Sequence, residues 1–429
     1  MSLIALLQAA APAFDPEAAT RAYLATLNGA ARAKSDAYFE GGYWLGLWSS
    51  LVGIASYLIM LNLGWSAKWS AWASRVTRRR WLQPALYSLP FGVAGTLLAL
   101  PWTIYEGFIR EKQYGLMNQS FSAWSGEQGI ALLVGIVTTA IFFTIVFAVI
   151  RRAPRRWWLW ASGATMLLLA LMVMIAPVFL APLFNKYTPM AEGPMRTRIL
   201  AMARAQHIPA DNVYVFDASK QTKRVSANVS GLGPTIRISL NDNLLNRSTP
   251  EGVMAVMGHE MGHYVLGHIA KSLIYLSLIA VGLFFLLWWS TPRLLARFGQ
   301  RWGVRDVSDP AVSPVFAIVL TLAILLLTPV FNTMTRVSES EADAFGLDAA
   351  RQPDADAMVD MQLSEYRKLE PTPLEELLFY DHPSGRTRVR MAMEWKARHL
   401  AELPPEQRGM IVMLSPTAAT PVPATPAAR

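Results

Sequence analysis

Two histidines and a glutamate at helical spacing carry the strongest chemical signal in the sequence: His259, Glu260 and His263. Residues four apart lie on one face of a helix, so both imidazoles can reach one metal ion. Glu260 lies beside them, where it can accept a proton from a water that the metal activates. A helix is predicted here because Thr249 suits the N-cap and Pro250 suits the first turn.

A catalytic zinc site needs a third protein ligand and an open position for water. Glu339 and Asp343 are four residues apart, so one carboxylate can bind the metal while the other accepts the ring N–H of a ligating histidine. Glu341 is a competing ligand on a different helix face, and a solvated acidic face is the alternative interpretation of the cluster. We choose Glu339 as the ligand.

His268 is interpreted as a polar residue near a membrane surface, because a fourth ligand would close the water position.

The composition restricts both the site and its surroundings. The 429 residues include no cysteine, so thiolate ligands, a thiol nucleophile and disulfides are excluded. The chain is 53% hydrophobic and 16% charged, against about 25% charged in a typical soluble domain. Lipid is therefore expected to solvate part of the chain. The net charge of +9 is assigned to residues that flank membrane spans, and no nucleic-acid partner is expected.

Six apolar blocks each reach the ~20 residues that a spanning helix needs. They lie between Glu40 and Lys68, Arg80 and Glu106, Glu127 and Arg151, Arg156 and Lys186, Lys271 and Arg293, and Asp309 and Arg336. Buried helices of a soluble protein are the alternative, which six blocks in one chain disfavour. The stretch Leu3–Phe14 lacks the basic region of a signal peptide, so it is interpreted as interfacial or disordered.

The fold class expected from these blocks is an all-α, multi-pass membrane protein with about six transmembrane helices and a small α+β catalytic domain of the zincin type. Val213–Phe216 is a predicted strand, and Val225–Ser230 with Thr235–Leu240 is a predicted hairpin. The predicted divisions are an N-terminal segment (1–40), four transmembrane helices (41–185), a soluble α+β segment with the zinc-binding helix (186–270), two transmembrane helices (271–335), a helical catalytic segment with the third ligand (336–412) and a disordered tail (413–429).

Three short basic loops, residues 65–80, 151–156 and 293–305, give an orientation. Six alternating spans put all three on one side, which the positive-inside rule makes cytoplasmic. The N-terminus, residues 186–258 and the C-terminal region would then lie on the opposite face.

Ordered motifs run along nearly the whole chain from about residue 40. They are Leu100–Trp102 with Tyr105, Ala181–Pro189, Gly258–His263 with Leu266–His268, Glu339 with Ala342–Phe345, and His382–Pro383 with Arg388. In these motifs the chain resembles the type I CAAX prenyl proteases, integral membrane zinc endopeptidases that process prenylated protein C-termini. So many matches in order are far more specific than the five-residue zinc motif.

The resemblance implies one Zn²⁺ per chain, held by His259, His263 and Glu339, with Glu260 as the general base. It also implies a helical barrel in the bilayer that encloses a water-filled chamber, with the zinc domain as its cap. The family's eukaryotic members have seven spans, whereas six blocks are found here.

Three further residues receive roles from the resemblance. Asn228 would bind the substrate backbone by strand addition, a mode in which main-chain hydrogen bonds supply affinity. His382 and Arg388 would face the substrate or the developing oxyanion, where a hydrogen-bond donor stabilises the transition state.

The resemblance also bears on partners and location. It implies a peptide or protein substrate, including lipid-modified ones, and contact with membrane lipid. The family's catalytic face is cytosolic, while the loop charges favour the opposite side, so the side stays open. Compactness and the lack of cysteine favour a bacterial protein of the inner membrane.

A quality-control peptidase on unmodified substrates is one alternative function, and a non-catalytic scaffold or transporter with structural zinc is another.

Overall fold

Long apolar helices dominate the computed structural model, which describes residues 14–231, 236–363 and 366–409. Six helical segments are long and apolar enough to cross a membrane, and they confirm all six predicted spans. They are Gly29–Asn62, Gln83–Gln113, Phe121–Arg152, Trp157–Leu183, His268–Trp302 and Pro310–Ala350. Most of the predicted interfacial stretch Leu3–Phe14 and the whole predicted tail (413–429) lie outside the described residues.

Fifteen α-helices can be followed through the described part of the chain. The first seven are α1 (Pro16–Leu24), α2 (Gly29–Asn62), α3 (Trp65–Val76), α4 (Gln83–Ile104), α5 (Glu111–Gln113), α6 (Phe121–Arg152) and α7 (Trp157–Ile175). The others are α8 (Pro194–Ala205), α9 (Asp242–Arg247), α10 (Pro250–Val265), α11 (His268–Trp302), α12 (Ser313–Ala350), α13 (Pro353–Leu363), α14 (Pro373–Phe379) and α15 (Gly385–Arg398). A π-helical segment, Tyr105–Arg110, joins α4 to α5.

The six spans close into a ring. Helix α2 contacts α4, α4 contacts α6, α6 contacts α7, α7 contacts α11, α11 contacts α12, and α12 returns to α2. This arrangement is the barrel that the resemblance implied. Several large apolar side chains on the spans are 62–80% exposed, among them Leu97, Leu133, Leu167, Leu278 and Leu326. Their exposure suits contact with lipid, because exposed apolar surface costs free energy in water but not in lipid.

The three basic loops meet at one end of the ring. Arg151 donates hydrogen bonds to the carbonyl oxygens of Arg80 and Ser308. The Ser70 hydroxyl donates to Asp309, and a Cβ on Gly303 would lie 3.2 Å from Ala67 Cβ, so the first basic loop adjoins the third. Residues 293–302 of that predicted third loop are the C-terminal end of helix α11. Helix α10 packs at the other end, against the C-terminal half of α12. The loops therefore share one side of the barrel, opposite the histidine-bearing helix.

A four-stranded sheet, β1 (Tyr187–Pro189), β2 (Val213–Phe216), β3 (Ala227–Ser230) and β4 (Arg237–Asn241), flanks α10, with the order β1-β2-β4-β3. The strand predicted at β2 is confirmed, and so is the antiparallel pairing of β3 with β4. The turn between them, residues 232–235, lies outside the described residues. Strand β3 ends the sheet, so its outer edge has no neighbouring strand within the described chain.

The sheet and α10 share one apolar core. The alternating residues Ile238 and Leu240 of β4 are buried, and they pack with Val253, Met257 and Met261 of α10. The apolar residues that alternate along β4 and those that recur at helical spacing along α10 thus form a single cluster. Helices α11 and α12 run without interruption across the predicted divisions at 270 and 335. The spans and the catalytic segments therefore share continuous helices.

Helices α10 and α12 approach each other backbone to backbone. A Cβ atom on Gly346 would lie 2.8 Å from the backbone nitrogen of His259, and one on Gly258 would lie 3.0 Å from the carbonyl oxygen of Gly346. A Cβ on Gly262 would meet the Ala342 carbonyl oxygen at 3.2 Å. Glycine at these positions is therefore required by the close approach of the two helices.

Replacing Gly346 by alanine is expected to force the two helices apart. Overpacking of this kind costs about 1–3 kcal/mol, and here it also moves Glu339 away from His259. We expect a lower melting temperature in detergent and a lower zinc content, measured by thermal unfolding and by metal analysis. Gly135→Ala is the matched control, because a Cβ there meets nothing within 4 Å. Wild-type zinc binding by Gly346→Ala would contradict this packing constraint.

Candidate metal site

Helix α10 positions the three residues of the histidine motif. The Thr249 hydroxyl accepts a hydrogen bond from the Gly252 backbone N–H, and Pro250 occupies the first turn, as the sequence predicted. This cap sets the start of the helix, and His259 and His263 follow on one face, with ring centroids 4.8 Å apart. The local sequence thus fixes the angular relation of the two imidazoles.

Glu339 of α12 completes a cluster of three ligand atoms. His259 Nε2 lies 3.1 Å from His263 Nε2 and 3.2 Å from Glu339 Oε2, and His263 Nε2 lies 3.5 Å from Glu339 Oε1. Ligand atoms in a tetrahedral zinc site are about 2.0–2.2 Å from the metal, which places them roughly 3.3–3.5 Å from one another. The separations of the donor atoms therefore fit zinc.

The tautomers of the two histidines also fit a cation. His259 donates from Nδ1 to Asp343 Oδ1 at 2.8 Å, which leaves the Nε2 lone pair of the neutral ring facing His263. Burial opposes a charge on His259, but its hydrogen bonds with Asp343 and Glu339 raise its pKa to about 10 when no metal is bound, so Nε2 then takes up a proton where the metal would bind. The space between these atoms therefore favours positive charge.

His268 lies behind His263 at the first residue of the fifth candidate span, outside the three-ligand cluster, and its hydrogen bonds give it a role that the sequence did not predict. Its side chain is only 5% exposed. His268 Nε2 donates to Glu341 Oε2 at 3.0 Å, so its Nδ1 is left to accept from His263 Nδ1 at 2.9 Å. Gly267, with φ of 67°, separates helix α10 from helix α11, and its left-handed conformation turns His268 back toward His263. His268 and Glu341 thus orient His263 as Asp343 orients His259.

Arg388 reaches the site through Asp343. Its Nε and Nη2 donate to the Asp343 carboxylate at 2.9 and 2.5 Å, and its Nη1 lies 3.1 Å from Asp360 Oδ1. Burial raises the pKa of Asp360 to about 6, against the opposing charge of Arg388. The chain His259–Asp343–Arg388–Asp360 is almost wholly buried, so the geometry assigns Arg388 to positioning. The sequence-based role at the oxyanion stays a prediction.

Glu260 projects into a cleft of about 200 Å³ that also exposes Ala227, Glu339 and His382. Its carboxylate makes no hydrogen bond or ion pair to any residue that the structure describes. Burial raises the pKa of Glu260, and the nearby histidines oppose the rise. A carboxylate without a partner and with a raised pKa suits a group that accepts and releases a proton.

His382 stands on the other side of the cleft. Its Nε2 lies 3.3 Å from Glu339 Oε2, and its Nδ1 lies 2.9 Å from Asp381 Oδ1. The structure therefore brings His382 beside the three ligand atoms, as expected for a residue that contacts substrate. Asn228 is on β3, opposite Ser239 of β4, and the neighbouring Ser226 and Ala227 line the cleft. Strand β3 thus begins at the cleft, and Asn228, one residue further along, is not part of the cleft lining.

Comparison with known proteins identifies the family. Residues 189–396 match the model of Peptidase family M48, and residues 20–186 match the CAAX prenyl protease N-terminal model, described as five membrane helices. The chain belongs to peptidase family M48. It is a membrane-embedded, zinc-dependent metalloendopeptidase with a peptide or protein substrate. The alternative of a non-catalytic scaffold or transporter is therefore set aside.

Individual relatives of this M48 peptidase agree with that assignment. It is 27% identical to the uncharacterized metalloprotease YhfN of Bacillus subtilis, over 78% of this chain and 79% of the relative. It is 27% identical to CAAX prenyl protease 1 of Saccharomyces cerevisiae, over 68% of each chain. The crystal structure of S. mikatae Ste24p has the same fold, with a TM-score of 0.71 and 22% identity, over 88% of this chain and 95% of that chain.

Removing His268 is expected to weaken zinc binding by this M48 peptidase. Loss of an outer hydrogen-bond partner of a ligating histidine typically costs about 10–100-fold in metal affinity or activity. We expect His268→Ala to fall within that range in competition with a chelator of known zinc affinity. His399→Ala is the control, because His399 bonds to the Trp395 carbonyl, outside the site. Equal affinities in both variants would show that His268 does not orient His263.

Proposed function

We propose that this peptidase cleaves near the C-termini of membrane-associated proteins, lipid-modified ones included, with His259, His263 and Glu339 as zinc ligands. The convergence of these three side chains, whose ligand atoms all lie within 4.8 Å of one another, carries the proposal. Catalytic zinc requires three protein ligands and an open position for water. The cleft next to Glu260 and Glu339 provides that opening.

The proposed mechanism is direct hydrolysis. Zinc, when bound, polarises the scissile carbonyl and activates water. Glu260 accepts the proton of the attacking water and later gives it to the leaving amine, so no covalent intermediate forms. His382, whose Nδ1 bonds to Asp381, is the residue proposed to stabilise the charge that grows on the carbonyl oxygen. Asp343 and His268 hold the ligating imidazoles, and Arg388 acts through Asp343.

Strand addition is the proposed mode of substrate binding. The free edge of β3 offers main-chain donors and acceptors beside the cleft, and Asn228 lies at its centre. Recognition through the main chain accepts many sequences, because side chains contribute only through pockets. This property also supports the second candidate function, a quality-control peptidase that acts on unmodified proteins.

An apolar cavity supports lipid-modified substrates. It has a volume of about 470 Å³, adjoins His263 and Glu339, and is lined mainly by apolar side chains of α7, α11 and α12, among them Leu169, Leu273, Leu276 and Phe331. Ligand pockets of about 300–1,000 Å³ hold small organic groups. The cavity therefore suits an isoprenoid or another apolar group next to the scissile bond.

The proposed location is the inner membrane of a bacterium. The bacterial relative from Bacillus subtilis aligns over 78% of this chain, a larger share than the yeast relative at 68%.

Glu260→Gln is expected to bind zinc like the wild type and to lose turnover, because the amide cannot accept the proton of water. We expect kcat to fall by at least the factor of about 10²–10⁴ that general acid–base catalysis contributes. Metal analysis checks zinc binding, and a fluorogenic peptide assay checks turnover. A chelator should abolish the wild-type rate. Wild-type cleavage by Glu260→Gln would refute the role of this carboxylate.

The apolar cavity makes a separate prediction about lipid. We expect a farnesylated peptide to be cleaved with a higher kcat/KM than the same peptide without the lipid. Leu276→Trp fills the cavity and should remove the difference without slowing cleavage of the plain peptide. Leu278→Trp is the control, because Leu278 is 68% exposed on the same helix. Equal kcat/KM for the two peptides with the wild type would favour the quality-control function.

A further inference from the structure

Two aspartates of helix α13 line the catalytic cleft and have no part in the proposed mechanism of hydrolysis. Asp356 and Asp360 are one helical turn apart, so both carboxylates lie on the same face of α13. They border the cleft of about 200 Å³ together with Val256 of α10 and Val359 of α13. We call these four residues the acidic subsite.

Packing against α10 holds the acidic subsite in place. A Cβ atom on Gly252 would lie 2.9 Å from Val359 Cγ2, so α13 rests directly on the first turn of α10. Asp360 is 3% exposed, and its Oδ1 lies 3.1 Å from Nη1 of Arg388. The two carboxylates therefore belong to a helix that is fixed against the helix of the histidine motif.

The acidic subsite has more negative charge than its neighbours compensate. Arg388 uses Nε and Nη2 on Asp343, so only its Nη1 is left for Asp360. The other oxygen of Asp360, Oδ2, is buried and accepts no hydrogen bond from the described residues. The carboxylate of Asp356 makes no hydrogen bond or ion pair within residues 14–231, 236–363 and 366–409. A buried oxygen without a partner is rare in proteins, and here it indicates a ligand that enters from the cleft.

Repulsion between the two carboxylates is the electrostatic consequence. Burial and the charge of Asp360 raise the pKa of Asp356 well above its usual value. Arg367, the other arginine of the cleft lining, forms no ion pair with either aspartate in the part of the chain that the structure describes. A cation that enters from the cleft would replace this repulsion by attraction.

The walls of the acidic subsite favour one class of cation. Two carboxylates supply too few ligands for Ca²⁺, which takes about 6–8 oxygens. Lysine and arginine side chains carry a cationic tip on an apolar stem, and the stem packs on apolar surface. Val256 and Val359 supply such surface next to the two carboxylates. A basic side chain of a bound peptide therefore matches the subsite better than a metal ion does.

We propose that the acidic subsite binds a basic side chain of the peptide substrate and that Asp356 is a specificity-determining residue. The proposal rests on the proposed function. The cationic group donates hydrogen bonds to Asp356 and to Oδ2 of Asp360, while the stem packs against Val256 and Val359. A neutral side chain of the same length leaves both carboxylates unpaired, and a site of this kind discriminates against it.

The test uses one peptide sequence and the zinc-loaded full chain. A single lysine is placed at each position around the scissile bond in turn and is compared with norleucine, which has the same stem without the charge. At one position we expect the wild type to prefer lysine about tenfold to hundredfold in kcat/KM, the range for hydrogen bonds to charged groups. Asp356→Asn should lose most of that preference, and Asp356→Glu should keep part of it. The readout is the ratio of the two peptides, so a general loss of rate cancels.

Binding without turnover supplies a second readout. In the zinc-loaded Glu260→Gln chain, fluorescence anisotropy should show tighter binding of the lysine peptide than of the norleucine peptide, and adding Asp356→Asn should abolish the difference. Equal affinities for the two peptides in the Glu260→Gln chain would contradict the proposal. Asp211→Asn is the control of equal charge change, because Asp211 is exposed and lies outside the cleft lining. It should keep the wild-type preference.

The outcomes distinguish this proposal from the proposed function. If the wild type prefers lysine at no position, the role of the acidic subsite is wrong while the peptidase function stands. If Asp356→Asn slows cleavage of both peptides equally, Asp356 has a structural role and the proposal is also wrong. If the zinc-loaded wild type cleaves neither peptide nor any longer unstructured protein, the proposed function itself fails.

Discussion

The close packing of α10 on α12 is the constraint on which the site depends. His259 and Glu339 belong to different helices, separated in sequence by one complete span and most of another. Their ligand atoms meet at 3.2 Å because Gly258, Gly262 and Gly346 let the two backbones approach. A metal bound at this crossing ties the helix of the histidine motif to the last span, so metal binding and helix packing stabilise each other.

Two chains of hydrogen bonds extend from the crossing and give the site its rigidity. One runs from His259 through Asp343 and Arg388 to Asp360, and the other runs from His263 through His268 to Glu341. Asp343 fixes the tautomer of His259 directly, whereas Glu341 fixes the tautomer of His268, which in turn orients His263. The first chain is buried, whereas the second ends near Lys271 at the mouth of the barrel. The two ligands therefore face different dielectric surroundings.

The sequence predicted the features whose partners are close in the chain. The six spans followed from apolar length, and the pair His259 and His263 followed from helical spacing. Glu339 was chosen over Glu341 because Asp343 lies one turn later, and the structure brings that pair to His259. The position of His268 could not be predicted in this way, since residues five apart do not share a helix face. Only the left-handed turn at Gly267 brings the ring back to His263.

Features that depend on how the six spans close into a ring could also not be predicted from the sequence. Arg367 lies in no recognisable motif, and its exposure to the cleft results from the meeting of a C-terminal segment with β3 and α10. The packing of α7, α11 and α12 leaves an apolar cavity next to His263, and the C-terminal segment leaves a second space next to Val225, lined by Arg224, Arg247 and Arg367. The proposed binding mode places an apolar group of the substrate in the first of these spaces while its main chain pairs with β3. Burial of an apolar group there offsets part of the entropy lost on ordering the peptide, and main-chain pairing with the short edge strand adds to it.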